Sequence, residues 1–437
     1  MHSPAPPSSP EEVTTCEQCK VTSPLSKAFQ TFRGGRRVRK LCPNCFREAT
    51  RRLSIASLMG LALFGGIGIV MAALGPPGNP GWIILNFALM NVMVWMLIVP
   101  HEAGHALAAR LSGYSVYRIV IGTGRRIGTL TVFDVPVEIH AIPLGGLTSF
   151  LARTAPVTRL RHIVVVVAGP LVHVTILWAA LRFGADAWRS ERVFEELAPV
   201  SALVVASVVG LIANLWPSRG GRTASDGARL LSLVFKRRPE FAETSRGGAA
   251  QRVGFLLLRE RLSEAESAAK SALAEYPADY RLQILLSAAL LNQHRYIEGR
   301  ELLLDMLGQT APDRSLEAIV RNNLAWANLN LADESLADEA RAMSAAAYRL
   351  IPWEAYVVST HGCVEAFYGD AVKAVSLLDQ ASILVEREKN RAATQSGLAM
   401  ANARLGRRAE SIAALAKAAK IDPDNHLLRI ARERLAR

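Results

Sequence analysis

Residues 82–105 read WIILNFALMNVMVWMLIVPHEAGH, an apolar run that ends in three ionisable side chains. At about 1.5 Å per residue, 82–99 can form a helix of about 27 Å, close to the roughly 30 Å of a bilayer's hydrocarbon core. Ionisable side chains at the end of such a span are costly unless they serve a site. This stretch therefore predicts a membrane helix that carries a functional centre.

Three further apolar runs have comparable length: 53–74, 163–181 and 199–216. Hydrophobic residues make up 50% of the chain and are concentrated in these four segments. Buried helices of a large soluble core are the alternative, but four such runs in one short region favour a membrane bundle. The polar, proline-rich start does not match a cleaved secretory signal.

The formal net charge of +13 follows a pattern around the four spans. Basic residues are dense before the first span, between the second and third, and after the fourth, whereas the loop 75–81 has no charge. Because loops rich in arginine and lysine stay in the cytoplasm, both termini are predicted to be cytoplasmic. Membrane orientation accounts for these charges, and we do not expect nucleic-acid binding.

The five residues HEAGH match the pattern HExxH. On a helix, residues four apart share a face, so His101 and His105 can bind one zinc ion while Glu102 reaches a water molecule beside it. Zinc in such a site activates water and polarises a peptide carbonyl, with Glu102 as the general base. A third protein ligand is required. Asp226, after the fourth span on the same predicted side, is the best candidate, and a helix-capping role is its alternative.

Short motifs occur in a recurring order through the membrane region: HEAGH at 101–105, PLGG at 143–146, AGP at 168–170, and NLWP at 214–217 followed by DG at 226–227. Together they resemble the site-2 protease family of intramembrane zinc metalloproteases. They extend over residues 83–230, roughly a third of the chain. Four ordered matches are more specific than HExxH alone.

The resemblance implies hydrolysis of membrane-associated proteins in regulated proteolysis. It also implies that Asp226 completes the zinc shell and that Asn214 lies near the active site, holding the substrate backbone. One departure is the loop 218–225, whose eight residues exceed the family's usual number, so it must bulge to return Asp226 to the metal. His173 stands where the family often has Asn, and either contacts the site or packs between helices.

The segment 114–150 alternates apolar and polar residues and predicts short strands. Gly122, Gly124 and Gly128 interrupt it, so several strands are expected. A substrate helix must unwind before it is cut, and an edge strand along 132–139 could hold the extended segment by strand addition.

Cys16 and Cys19 form one CxxC pair, and Cys42 and Cys45 form another. Four thiolates at this spacing suit tetrahedral zinc, so we predict a second, structural zinc site. Disulfides are the alternative, but cytoplasmic thiols stay reduced. The second pair resembles zinc-ribbon and rubredoxin-type modules, and so small a segment is expected to need the metal to fold.

The tail contains alanines seven apart that are followed five residues later by proline: Ala265, Ala272 and Pro277, then Ala340, Ala347 and Pro352. The step from Ala265 to Gly299 is 34 residues and recurs from Ala340 to Ala374, which is the period of tetratricopeptide repeats. The tail resembles these repeats and predicts about five helical hairpins. Generic helical hairpins are the alternative.

The predicted fold class is mainly α: a polytopic bundle of about four membrane helices with a small β segment, an N-terminal zinc ribbon and a C-terminal α-solenoid. The predicted parts are a disordered start (1–12), the zinc-ribbon-like module (13–50), the membrane metalloprotease region (51–235) and the repeats (248–437). Expected partners are a membrane-protein or peptide substrate, the lipid bilayer and a cytoplasmic protein bound by the repeats. A catalytically inactive membrane scaffold is the alternative function.

Overall fold

A computed structural model describes residues 13–34, 37–76, 78–152, 159–220, 223–235, 239–385 and 387–436. The predicted disordered start, 1–12, lies outside the described residues. The chain divides into two compact units. One joins the residues up to Ala49 with those from Arg252 onward, and the other comprises Thr50–Gln251. The predicted mainly α fold class is confirmed, with small two-stranded sheets among the helices.

The N-terminal module consists of two antiparallel hairpins. Strand β1 (Thr14–Thr15) pairs with β2 (Thr22–Ser23), and β3 (Gln30–Gly34) pairs with β4 (Arg37–Leu41). Its buried core contains Cys16, Phe29, Phe32, Leu41 and Cys42. Apolar burial on this scale cannot stabilise a fold by itself, which agrees with the expected need for a metal.

The membrane region is built on the helices α1 (Pro43–Leu74), α2 (Gly81–Leu111), α3 (Arg159–Phe183), α4 (Ala185–Ser190) and α5 (Pro199–Leu215). Helices α1, α2 and α3 are long and apolar enough to cross a membrane, whereas α5, the fourth predicted span, has 17 residues. Large apolar side chains point outward: Met59 is 68% exposed and Trp178 is 60% exposed. Such surfaces are expected where helices contact lipid.

Between α2 and α3 the chain forms β5 (Tyr114–Val132) and β6 (Val135–Ala152), joined by a turn in which Phe133 and Asp134 have positive φ. The strands fold back, because 119–121 pairs with both 137–139 and 146–148. Residues 137–139 also pair with 128–130. The predicted substrate edge at 132–139 is therefore wrong for 137–139, which has neighbours on both sides. In the described part of the chain, 146–152 pairs on one side only.

A small hairpin follows α5. It consists of β7 (Arg219–Gly220) and β8 (Thr223–Ala224) and leads directly into α6 (Asp226–Phe235). A Cβ on Gly227 would overlap the carbonyl oxygen of Leu215. The absence of a side chain at Gly227 therefore lets the start of α6 lie against the end of α5.

The tail is an array of helices joined by short turns: α7 (Pro239–Leu258), α8 (Leu262–Glu275), α9 (Tyr280–Asn292), α10 (Tyr296–Leu307), α11 (Arg314–Leu331), α12 (Ala337–Leu350), α13 (Ala355–Tyr368), α14 (Ala371–Leu384), α15 (Glu388–Arg404), α16 (Arg408–Ile421) and α17 (His426–Ala436). Each helix from α8 to α16 packs against the next along the chain, and α17 packs against α15 and α16. Ala340, Ala347, Ala374 and Ala381 are fully buried. Small side chains at the predicted spacing thus allow neighbouring helices to approach closely, and the predicted repeat architecture is confirmed.

Leu324 on α11 is fully buried in a cluster with Leu303 and Met306. We predict that Leu324→Ala lowers the free energy of unfolding of the tail by about 2–5 kcal/mol, because the substitution leaves a cavity. Ile383→Ala is the control, since Ile383 is 85% exposed, and should change stability by at most about 0.5 kcal/mol. Denaturant unfolding of the purified protein, followed by circular dichroism, measures both. Equal effects of the two substitutions would contradict this packing.

Candidate metal centre

The HEAGH motif lies in the C-terminal part of α2, which continues as a helix through Pro100. His101 and His105 are one turn apart, and their Nε2 atoms are 3.2 Å from each other. Both side chains are buried. The helix therefore directs two imidazole nitrogens at one point.

Asp226 joins this pair from the start of α6. Its Oδ2 atom lies 3.1 Å from Nε2 of His101 and 3.1 Å from Nε2 of His105. Burial acts to raise the pKa of the Asp226 carboxyl, but hydrogen bonds and charge from the two imidazoles hold it well below its usual range. The structure thus brings together the three residues that the sequence nominated as ligands, with an ionised carboxylate among them.

The longer loop before Asp226 does not displace it from the histidines. The N–H of Ser225 donates to the carbonyl of Ser218 at 3.1 Å, so the two ends of the β7–β8 hairpin are adjacent. The Ser225 hydroxyl accepts a hydrogen bond from the N–H of Ala228 at 3.2 Å and donates to the carbonyl of Trp216 at 2.7 Å. Ser225 therefore caps α6, and the Asp226 carboxylate is left to face the imidazoles.

A backbone carbonyl sets the tautomer of His105. Its Nδ1 atom lies 2.7 Å from the carbonyl oxygen of Val165 on α3, and a carbonyl only accepts, so Nδ1 carries the hydrogen. When the ring is neutral, as in a metal-bound histidine, Nε2 then presents its lone pair to the cluster. The Nδ1 atom of His101 is also buried, and it has no hydrogen-bond partner among the residues that the structure describes.

Glu102 contacts strand β6. The hydroxyl of Thr148 lies 2.6 Å from Oε2 of Glu102 and donates to it. A Cβ on Gly146 would be 2.5 Å from Oε1 of the same carboxylate. The PLGG segment and the residues just after it therefore position Glu102.

Glycines make room for the cluster on α2 and α3. A Cβ on Gly169 of the AGP motif would overlap Nε2 of His105 and would lie 2.8 Å from Cε1 of His101. A Cβ on Gly104 would lie 2.8 Å from the carbonyl oxygen of Ala168. The two helix backbones therefore approach closely beside the imidazoles, which a larger residue at either position would prevent.

His173 and Asn214 lie differently with respect to the cluster. The His173 ring is buried on α3, and its centroid is 5.2 Å from that of His101. The side-chain amide of Asn214 donates to the carbonyl of Gly210, one turn earlier on α5, at 2.8 Å. His173 thus packs beside a candidate ligand, whereas the amide nitrogen of Asn214 is engaged by its own helix.

The second cluster lies in the N-terminal module. The sulfur atoms of Cys16, Cys19, Cys42 and Cys45 lie within 4.8 Å of one another, and all four thiols are free. Burial acts to raise the pKa of Cys16, but backbone hydrogen bonds lower it to about 6. Burial and the charges of neighbouring thiolates raise the pKa of Cys42 to about 11. A cation at the centre would let all four ionise together.

Both donor sets fit zinc. Zn–N and Zn–O bonds of about 2.0–2.1 Å at tetrahedral angles place neighbouring ligand atoms about 3.3 Å apart, and Zn–S bonds of about 2.3 Å place sulfurs about 3.8 Å apart. The histidine and carboxylate atoms are 3.1 Å apart, and Sγ of Cys19 and Cys42 are 3.6 Å apart. Three protein ligands leave a position open for chemistry, whereas four thiolates close the shell.

Comparison with known proteins finds a family match within the membrane region. Residues 89–188 match Peptidase family M50. The resemblance to site-2 proteases is confirmed. The M50 segment includes the HEAGH, PLGG and AGP motifs, while Asn214 and Asp226 lie beyond it.

A curated protein similar to this region is the probable membrane metalloprotease ARASP2, chloroplastic, of Arabidopsis thaliana, with 31% identity over 106 residues. The match covers 21% of this chain and 24% of that protein, so the chain spans about a quarter of its relative.

Solved structures that are similar to this chain include two TPR proteins, each of which covers less than half of its length. TTC0263, a thermophilic TPR protein of Thermus thermophilus, is 22% identical, with 44% of this chain and 100% of that one covered and a TM-score of 0.33. YrrB, described as a TPR protein with an unusual peptide-binding site, is 16% identical, with 43% and 91% covered and a TM-score of 0.29.

Two contributors to the site were not predicted from the sequence. Thr148 lies two residues after Gly146, and residues two apart in a strand share a face, so the PLGG motif contained a signal for it. The carbonyl of Val165 has no sequence signature, because every residue presents a carbonyl.

Gly169→Ala tests the space that the imidazoles occupy. We predict that it weakens zinc binding at the histidine centre at least about tenfold, because the new methyl group forces His105 aside. Gly60→Ala on α1 is the control, since a Cβ there meets nothing within 4 Å. Zinc content after dialysis against graded chelator measures both, with the cysteine site as an internal reference. If Gly169→Ala retained zinc as well as the unmodified protein does, the close approach of Gly169 to the two imidazoles would be refuted.

Proposed function

We propose that this chain is an intramembrane zinc endopeptidase of the site-2 type, which hydrolyses peptide bonds of membrane-associated proteins in regulated proteolysis. The observation that carries the proposal is the convergence of His101, His105 and Asp226, with ligand atoms 3.1–3.2 Å apart, beside Glu102 at the end of a membrane helix. The M50 match supports metallopeptidase chemistry. It leaves the substrate open.

In this proposal each residue has one role. His101, His105 and Asp226 hold zinc, which supplies Lewis-acid activation of water and of the scissile carbonyl. Glu102 accepts a proton from the attacking water and passes it to the leaving amine. Thr148 holds one carboxylate oxygen of Glu102, which leaves the other to carry the proton.

The substrate segment is extended where it is cut. Strand 146–152 has a neighbour on one side only among the described residues, and it contains Thr148, which contacts Glu102. Strand addition at this edge would lay a substrate backbone along the catalytic glutamate. The side-chain oxygen of Asn214 is proposed to accept a hydrogen bond from the backbone of the bound substrate segment, as the resemblance to site-2 proteases implies.

The proposed topology has four spans and two cytoplasmic termini. The hydroxyl of Ser23 donates to the carbonyl of Leu350 at 2.7 Å, so the N-terminal module and the tail are in contact. Parts in contact lie on one side of a membrane, which supports an even number of crossings between them. Helix α5, about 25 Å long at 1.5 Å per residue, is then the fourth span. The basic loops favour the cytoplasm for both termini.

The repeats are proposed to bind a cytoplasmic protein. A groove of about 770 Å³ in the tail is lined by apolar, amide and charged side chains, and Asn322, Asn323, Trp326 and Asn390 are among them. Amides of this kind can hydrogen-bond the backbone of a bound segment. The scaffold alternative rested on the longer loop before Asp226, and the paired hairpin argues against it.

Glu102→Gln separates the protease from the scaffold. We predict that cleavage of a membrane-anchored reporter falls at least about a hundredfold, because glutamine cannot accept the proton, while zinc content stays the same. Glu138→Gln is the matched control on the neighbouring sheet, with cleavage near the level of the unmodified protein. Full reporter cleavage by Glu102→Gln in membranes would exclude the proposed mechanism.

A further inference from the structure

The N-terminal module contacts one turn of the repeat tail, residues 350–353, between α12 and α13. The hydroxyl of Ser23 donates to the carbonyl of Leu350, the last residue of α12, at 2.7 Å. The side-chain amide of Asn44 donates to the carbonyl of Trp353 at 2.7 Å. The last carbonyls of a helix have no partner within it, so Ser23 satisfies a carbonyl that α12 leaves unpaired.

Apolar side chains cross the contact in both directions. Trp353 packs edge-on against Phe29, with ring centroids 5.5 Å apart, and joins the small core around Cys16 and Cys42. In return, Leu25 packs against a tail cluster that includes Leu350, Ile351 and Val357. Each side therefore completes part of the other's core.

The contacting residues are held in place by the cysteine cluster. Ser23, Leu25 and Phe29 lie in the segment between Cys19 and Cys42, and Asn44 lies between Cys42 and Cys45. The module has two short hairpins and a small core, so its fold depends on the four thiolates sharing a cation. Without that cation the module keeps only its small apolar core and short hairpins, and modules of this size usually need a metal or disulfides to stay folded.

We propose that metal binding by the four cysteines controls docking of the repeat tail, with residues 350–353 as the docking surface. This inference goes beyond the proposed protease activity, and the partner is the chain's own tail. Cys45 lies in the first turn of α1, which continues as the first membrane span, so a loaded module ties the tail to the start of that helix. Loss of the metal releases the tail.

Hydrogen exchange of the full-length zinc-loaded protein in detergent tests the release. Cys19→Ser removes one thiolate, and because Cys19 is exposed, little packing is lost with it. We expect amide exchange across residues 350–357 to become at least about tenfold faster. His105→Ala is the matched control, since it removes a ligand of the other metal centre, and exchange at 350–357 should stay slow. Unchanged exchange in Cys19→Ser would overturn the proposal.

Zinc affinity provides the reciprocal test. If zinc binding strengthens docking of the tail, docking must strengthen zinc binding by the same factor. Such couplings commonly change an affinity by about 5- to 150-fold. In a His105→Ala background, where the cysteine site is titrated alone, Trp353→Ala should weaken zinc binding at least about fivefold in competition with a chelator. Trp178→Ala changes an outward-facing tryptophan of α3 and should leave the zinc affinity of the cysteine site unchanged.

Asn44→Ala tests the same contact with a milder substitution, in case Trp353→Ala disturbs folding of the tail. It removes one hydrogen bond to the tail and no metal ligand, so zinc affinity should fall in the same direction by a smaller factor. Circular dichroism of both variants checks that the tail remains helical. A helical Trp353→Ala protein with fast exchange at 350–357 and undiminished zinc affinity would refute the coupling.

Discussion

Two imidazoles and a carboxylate meet within 3.1–3.2 Å in the interior of an apolar helix bundle, and the membrane region is arranged around that cluster. Burying an ionised carboxylate costs several kcal/mol unless opposite charge accompanies it. A divalent cation offsets this cost best, because it accepts lone pairs from all three groups at once. The donors come from α2 and from α6, and α3 supplies the backbone that supports them.

Close backbone approach makes this convergence possible. Gly169 leaves the imidazoles their space, Gly104 brings α2 against α3, and Gly227 brings α6 against the end of α5. Each contact involves backbone or a ring, which cannot yield as the tip of a flexible side chain does. The cluster therefore depends on three positions without side chains as much as on its ligands.

The two metal centres differ in the way their chemistry requires. Four thiolates in the N-terminal module can enclose an ion completely, and the module around them has too little core to fold otherwise. The histidine centre offers three ligands beside a carboxylate that Thr148 orients. The first centre organises the contact between the module and the tail, and the second is open for reaction.

The amino-acid sequence by itself determined the features with local signals. Helical spacing in HEAGH directs two histidines to one point, the apolar runs define membrane helices, and the 34-residue period predicts the repeat array. The order of the motifs was also enough to nominate Asp226, although the residues of 218–225 do not reveal how that loop folds.

Only the tertiary structure decided which distant segments meet. It closed the loop 218–225 as a hairpin, placed 137–139 of the predicted edge 132–139 inside the sheet, left 146–152 at an edge, placed Thr148 on Glu102, and joined Ser23 to Leu350. The physical reason is that periodicity and spacing report the face a residue occupies on its own element. Contacts across long stretches of chain depend on how whole elements pack.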